Sequence, residues 1–265
     1  MSENSSKKPT TKTDKVKSKL NWRRLIGLPL WVLVSFGLAQ VVFVAIVLIL
    51  QAVGVSLDAA NPAVVGAVSA AGVYMLMLVI AVGVPWWLRG RVTNRRELGL
   101  QRLPGWLDIG LAPATFVVYI LTSGLLVLLT TYLLPGFDPV QAQEIGFEDL
   151  THRYELILAF VTLVIAAPVA EEILFRGYLY GKLRRTTPIW LTGLVVSVLF
   201  AALHLPGTGG PQWNVAIDVF VLSVFLCGLR EVTGSIWAGI LLHAIKNGLA
   251  FYILFINPSI MGLGG

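Results

Sequence analysis

Two adjacent glutamates, Glu171 and Glu172, stand inside an apolar run that reads AAPVAEEILFR from Ala166 to Arg176. An ionised carboxylate at bilayer depth costs on the order of 3 kcal/mol even on the mildest insertion scale, so two together call for a function. On a helix, Glu172 and Arg176 lie four residues apart on one face, with the acid in the favourable N-terminal position. Glu171 projects about 100° away from Glu172 and has no such neighbour. Arg176 therefore holds Glu172 ionised and fixed, and Glu171 is left as the carboxylate able to take a proton from water. The competing reading is a snorkelling cluster at the cytoplasmic end of a span.

The chain has three histidines, His152, His204 and His243. His152 sits beside Arg153 in a polar stretch and reads as a solvated loop residue. His204 closes the apolar run Leu199–Leu203, just before a Pro/Gly-rich loop at 206–210. His243 lies inside the apolar stretch 241–247, and Asn247 follows four residues later on the same face. Glutamate as base, histidine as second base or metal ligand, and His/Asn as oxyanion donors make a set able to activate water against a carbonyl. Asp218 reads as a polar group hydrogen-bonded within the bundle. Lys246, about 60° round its helix from His243, pairs with Asp218 or snorkels. A serine mechanism finds no support in the settings of Ser197, Ser223 and Ser235. An aspartyl mechanism lacks a second aspartate at depth, since Asp108 falls at the start of a span, where it favours the helix dipole.

The elements that must position these residues are membrane helices. Of 265 residues, 56% are hydrophobic and 13% charged, and the mean hydropathy is +0.80; a soluble domain has roughly 25% charged residues. Apolar runs near the ~20 residues needed to cross a bilayer occur at 25–54, 62–88, 105–134, 154–175, 188–205, 214–229 and 233–256. The expected fold is an all-α, polytopic transmembrane helical bundle of about seven to eight spans. Residues 1–24 hold eight Lys/Arg against Glu3 and Asp14, which accounts for the whole net charge of +6. This polar tail is expected to be disordered and to touch anionic lipid, and it is not a nucleic-acid surface. Basic residues recur at 89–102, at 182–185 and at Arg230, whereas the 135–153 loop is acidic. That alternation predicts a cytoplasmic N-terminus in the plasma membrane. Cys227 is the single cysteine, so no internal disulfide forms. The layout is a tail at 1–24, N-terminal membrane helices at 25–150, a catalytic membrane core at 151–256 and a C-terminal tail at 257–265. One conflict arises: a fourth span ending at 175 puts Glu171 near the cytoplasmic face, while His204 lies about 24 Å deeper along a helix starting at Pro188. Either Pro168 breaks the fourth span or residues 177–190 re-enter the membrane.

The motifs Glu171-Glu172-x-x-x-Arg176, Phe200-x-x-x-His204 and His243-x-x-x-Asn247 resemble, in type and order, those of the CAAX-protease and bacteriocin-processing family of intramembrane endopeptidases (CPBP, also called Abi). The resemblance covers about residues 155–250. It implies an endopeptidase acting on a membrane-associated or prenylated, CAAX-type, peptide or protein. Eukaryotic relatives remove the last three residues after the lipidated cysteine, and bacterial relatives are linked to bacteriocin maturation or immunity. By resemblance, Glu171 activates the attacking water with help from His204, Glu172 and Arg176 support the site, and His243 and Asn247 stabilise the oxyanion. Zinc takes three protein ligands and a water, which His204, His243 and one glutamate could supply. No His-Glu-x-x-His occurs, and the expectation is metal-independent chemistry with zinc as the alternative. Two other classes compete: an ion- or proton-coupled transporter, which calls for repeated halves that the sequence does not display, and a non-catalytic immunity or scaffold protein of the same fold.

Overall fold

A computed structural model describes residues 20–55, 61–90, 92–139, 146–147, 150–207 and 209–257. The expectations for the tail at 1–19, for Glu144, Glu148 and Asp149 of the acidic loop, and for the C-terminal tail past Asn257 fall outside the described residues. Among the described residues there are seven helical rods and no strand: α1 (Trp22–Ala52), α2 (Pro62–Arg89), α3 (Trp106–Leu133), α4 (Arg153–Leu183), α5 (Ile189–Leu203), α6 (Trp213–Thr233) and α7 (Trp237–Ile256). By length and apolarity α1 to α4 and α7 are able to cross a membrane, and α5 is a shorter apolar helix. The chain is an integral membrane protein. Its outer surface is what lipid demands: Val41, Val44, Leu48 and Ile49 of α1, and Val117, Leu121, Leu125 and Leu128 of α3, are all exposed. Trp22, Trp86, Trp87, Trp106, Trp190 and Trp213 are exposed at or near helix ends, where an interfacial belt places them.

The helix ends follow from local chemistry. Asn21 caps α1 by accepting from the Arg24 amide at 3.1 Å, and Asn61 caps α2 ahead of Pro62. Gly234, at φ 65°, ends α6 and allows the immediate turn into α7. The segment 92–105 ties one end of the bundle together. The Gly99 carbonyl accepts from the Ile236 amide at 3.2 Å and from Ser235 Oγ at 3.0 Å. Glu97 pairs with Arg185 at 2.9 Å and with Lys182 at 3.6 Å. The basic segments that alternate along the sequence thus meet at one end.

Three apolar clusters build the interior. One joins α1, α2, α4 and α5 through Val32, Met77, Leu174, Leu179 and Phe200. A second joins α3, α6 and α7 through Tyr119, Leu222, Leu226 and Leu242. A third joins α2, α4 and α7 through Ala63, Ala159, Val164 and Phe251.

The fourth span is where the structure corrects the sequence. It does not stop at residue 175. Helix α4 runs on to Leu183, and Leu174 through Tyr180 are all buried. Pro168 does not break it either. The helix widens into π-turns at Val161–Ala166, becomes α-helical over Ala167–Glu172, and widens again at Ile173–Tyr180. The wide turn ahead of Pro168 accommodates a residue that lacks an amide hydrogen. Glu171 is then twelve residues from the Leu183 end, and His204 is fifteen past Ile189, so both lie roughly 20 Å in from the same end at 1.5 Å per residue. The depth conflict disappears without a re-entrant loop.

π-turns leave backbone carbonyls without their helical partners, and at bilayer depth no water compensates. Three such carbonyls are taken by side chains from other helices. Trp31 Nε1 donates to the Ala81 carbonyl in the π-turn of α2 at 3.0 Å. Asn247 Nδ2 donates to Leu163 at 2.9 Å. Arg230 Nε donates to the Arg176 carbonyl at 3.2 Å. The last two hold the π-turns on either side of the glutamate pair.

Candidate active site

Glu172 and Arg176 are fully buried, and Arg176 Nη1 donates to Glu172 Oε1 at 2.8 Å, as the i,i+4 spacing predicts. The guanidinium also donates from Nη2 to Ser223 Oγ of α6 at 2.7 Å and lies over the Phe200 ring, 4.4 Å from its centroid. Three helices, α4, α5 and α6, therefore converge on one charge pair. The backbone of α7 presses against it as well. A Cβ placed on Gly239 would come within 2.9 Å of Glu172 Oε2, so only glycine lets α7 approach this closely.

His243 lies between the two carboxylates. Its Nδ1 is 3.3 Å from Glu172 Oε1, and its Nε2 is 3.8 Å from Glu171 Oε2. An ionised Glu172 only accepts hydrogen bonds, so Nδ1 carries the hydrogen of that contact, and the reactive nitrogen Nε2 is turned toward Glu171. Glu171 departs from the sequence reading in one respect: it does have a partner. Tyr74 of α2 donates to Glu171 Oε1 at 2.8 Å. Its other oxygen, Oε2, is buried without a hydrogen bond.

His204 caps the C-terminal end of α5, and its Nδ1 lies 2.7 Å from the Phe200 carbonyl. A carbonyl only accepts, so Nδ1 bears the hydrogen and Nε2 has the free lone pair. Phe200 packs against both histidines, with ring centroids 4.7 Å from His204 and 5.9 Å from His243. Asn247 points one amide hydrogen at the Leu163 carbonyl, which leaves its second for another acceptor.

All six residues singled out in the sequence, Glu171, Glu172, Arg176, His204, His243 and Asn247, thus belong to one interior region of α4, α5 and α7. His152 lies apart from it, exposed at the N-terminal end of α4. Three neighbours escaped the sequence: Tyr74, Ser223 and Gly239. Tyr74 had left one signal, as the only titratable residue between Pro62 and Leu88. Among the described residues no group of three or more His, Cys, Asp or Glu side chains is placed to hold a metal ion. Both histidine Nδ1 atoms are committed, one to a carbonyl and one to Glu172, which leaves Nε2 of each to face a water or a ligand.

Comparison with known proteins agrees with the motifs. Residues 153–249 match the family described as type II CAAX prenyl endopeptidase Rce1-like. The resemblance to the CAAX-protease family is thereby borne out for that segment. A protein of Escherichia coli described as "Uncharacterized 24.3 kDa protein" is 31% identical over 101 residues, which are 37% of this chain and 45% of that relative. The chain thus spans about half the length of the curated relative it matches. No solved structure matches.

Proposed function

We propose that the protein is an intramembrane endopeptidase that hydrolyses a peptide bond of a membrane-associated or prenylated substrate with a glutamate-activated water. One observation carries the reading. Glu171 has one oxygen fixed by Tyr74 and the other unpartnered, facing a histidine that a buried Glu172–Arg176 pair holds in orientation. Glu172 Oε2 is likewise without a hydrogen bond, but it lies against the backbone of α7 at Gly239, whereas Glu171 Oε2 faces the His243 ring.

The roles follow from the donors and acceptors. Glu171 Oε2 takes a proton from water, with the His204 Nε2 lone pair as second acceptor, while the water oxygen attacks the scissile carbonyl carbon. The carbonyl oxygen becomes an oxyanion. It receives hydrogen bonds from the second amide hydrogen of Asn247 and from Nε2 of His243 when that nitrogen bears a hydrogen. The carbon–nitrogen bond breaks, and the proton held on Glu171 passes to the leaving amine. Glu172 and Arg176 touch no reacting atom and act as positioning residues. The basic end formed by 92–105 and 182–185 faces the cytoplasm, and the protein resides in the plasma membrane.

The test is cleavage of a quenched prenylated peptide and its unmodified counterpart by the purified protein. Glu171→Ala, His204→Ala and His243→Ala are each expected to lose turnover, and a chelator is expected to leave the wild-type rate unchanged. Cleavage by the three alanine variants at the wild-type rate refutes the mechanism. Loss with chelator and recovery with zinc refutes its metal independence.

A further inference from the structure

A second polar cluster stands beside the first and takes no part in the steps above. Asp218 of α6 accepts two hydroxyl hydrogen bonds on Oδ1, from Tyr119 at 2.5 Å and Ser123 at 2.6 Å, both on α3. Lys246 of α7 lies 3.6 Å from Asp218 Oδ2, a charge contact longer than a hydrogen bond. The two side chains are 14% and 27% exposed, so they are neither sealed in the core nor spread on the surface.

As a structural ion pair this arrangement is poorly made. Two hydroxyls already hold Asp218, and the ammonium has three hydrogens to donate but makes only the loose contact. An ammonium at this depth is costly unless it is used. Its position gives it a use. Lys246 lies between His243 and Asn247 in sequence, about 4.5 Å along α7 from His243. The site is otherwise hostile to an anion. Glu171, Glu172 and Asp218 outnumber the cations, and Arg176 is buried and committed to Glu172 and Ser223. Arg176 keeps an unpartnered Nε–H too, but it is sealed in the core, so among the described residues around the glutamates Lys246 is the part-exposed cation with hydrogens to spare.

We propose that Lys246 receives the free C-terminal carboxylate of the peptide substrate, with Asp218, Tyr119 and Ser123 holding the ammonium in place. This rests on the endopeptidase reading and adds the group that recognises the substrate's end. A C-a-a-X segment terminates in a carboxylate three residues beyond its prenylated cysteine. Three extended residues span at most about 10 Å, so a bond opposite His243 puts that carboxylate within range of an ammonium one helical step away. The carboxylate takes the unused hydrogens of Lys246, and a substrate with a blocked end forfeits them.

The test separates binding from chemistry. Glu171→Gln protein in detergent micelles is titrated with a farnesylated peptide bearing a free C-terminal carboxylate and with the same peptide as its C-terminal amide, read by fluorescence anisotropy. The acid is expected to bind at least tenfold more tightly. Lys246→Met is expected to bring the ratio near one, and Lys246→Arg, which keeps the cation beside Asp218, to retain it. Equal binding of acid and amide, a preference that survives Lys246→Met, or no binding of either peptide overturns the proposal. The endopeptidase reading fails separately: an acid preference that depends on Lys246, in a protein whose wild-type form hydrolyses neither peptide, leaves the carboxylate site standing and removes the peptidase.

Discussion

Replacing Arg176 with methionine should destabilise the interior and stop the chemistry, and the two effects can be separated. Arg176 and Glu172 are both fully buried, 2.8 Å apart, and the guanidinium further binds Ser223 and covers Phe200. Arg176→Met leaves a carboxylate at depth with no countercharge. Breaking a buried pair from one side costs about 3–5 kcal/mol. With a shift of about 2–4 °C per kcal/mol for a chain of this size, the melting midpoint should fall by roughly 6–20 °C. The double variant Glu172→Met with Arg176→Met removes both charges, and a well-packed apolar replacement of a buried pair is about neutral or stabilising by ~1–4 kcal/mol. The double variant should therefore melt close to wild type. It should still be inactive, because His243 Nδ1 has lost the acceptor that aims Nε2 at Glu171. Tryptophan fluorescence during heating in micelles reads the first quantity, and hydrolysis of the quenched peptide reads the second. A double variant that melts as low as Arg176→Met would show that the stranded Glu172 charge is not the source of the loss. One that melts normally and cleaves normally would show that Glu172 does not orient His243.

Four further variants test the same contacts. Glu171→Gln keeps an oxygen for Tyr74 but no base, so turnover should drop by about 10²–10⁴ with the melting midpoint unmoved; a parallel drop in midpoint would make Glu171 structural. Gly239→Ala puts a methyl 2.9 Å from Glu172 Oε2 and should cost about 1–3 kcal/mol in thermal stability together with turnover, whereas a normal rate and midpoint would mean that α7 does not press on the pair. Asn247→Leu strands the Leu163 carbonyl at a cost of about 1–3 kcal/mol and also removes an oxyanion donor, so it should lower both the melting midpoint and turnover. Arg230→Leu strands the Arg176 carbonyl and should lower mainly the midpoint, and an Arg230→Leu turnover loss as large as that of Asn247→Leu would contradict the donor role.

The sequence carried the bundle because lipid enforces it: apolar runs near the thickness of a bilayer, broken by charged or Gly/Pro-rich segments, have few alternatives to crossing helices. It carried Glu172–Arg176 because a contact four residues apart is local. It misled at the end of α4 because Arg176 reads as a charge at the membrane surface. In the folded chain that charge is cancelled by Glu172 and solvated by Ser223 and Phe200, so the helix stays inside for two more turns. Tyr74, Ser223 and Gly239 were out of reach for the opposite reason. Each comes from a helix distant in sequence, and a single hydroxyl or glycine in an apolar run carries no mark of what it will face.

The π-turns explain how such a site can be built on one continuous helix. A regular α-helix from Arg153 to Leu183 would project Pro168, the glutamates and Arg176 at fixed angles and leave no carbonyl for a neighbouring helix to grip. Widening α4 on both sides of Ala167–Glu172 resets those angles and opens carbonyls at Leu163 and Arg176. Asn247 takes the first and Arg230 the second. Asn247 belongs to the helix that also carries His243 and Gly239, and Arg230 to the helix that carries Ser223 and Asp218. Each hydrogen bond that repays a π-turn therefore docks a helix bearing other residues of the site. The irregularity that costs α4 its ideal hydrogen bonding is the same feature that registers α6 and α7 against the glutamates.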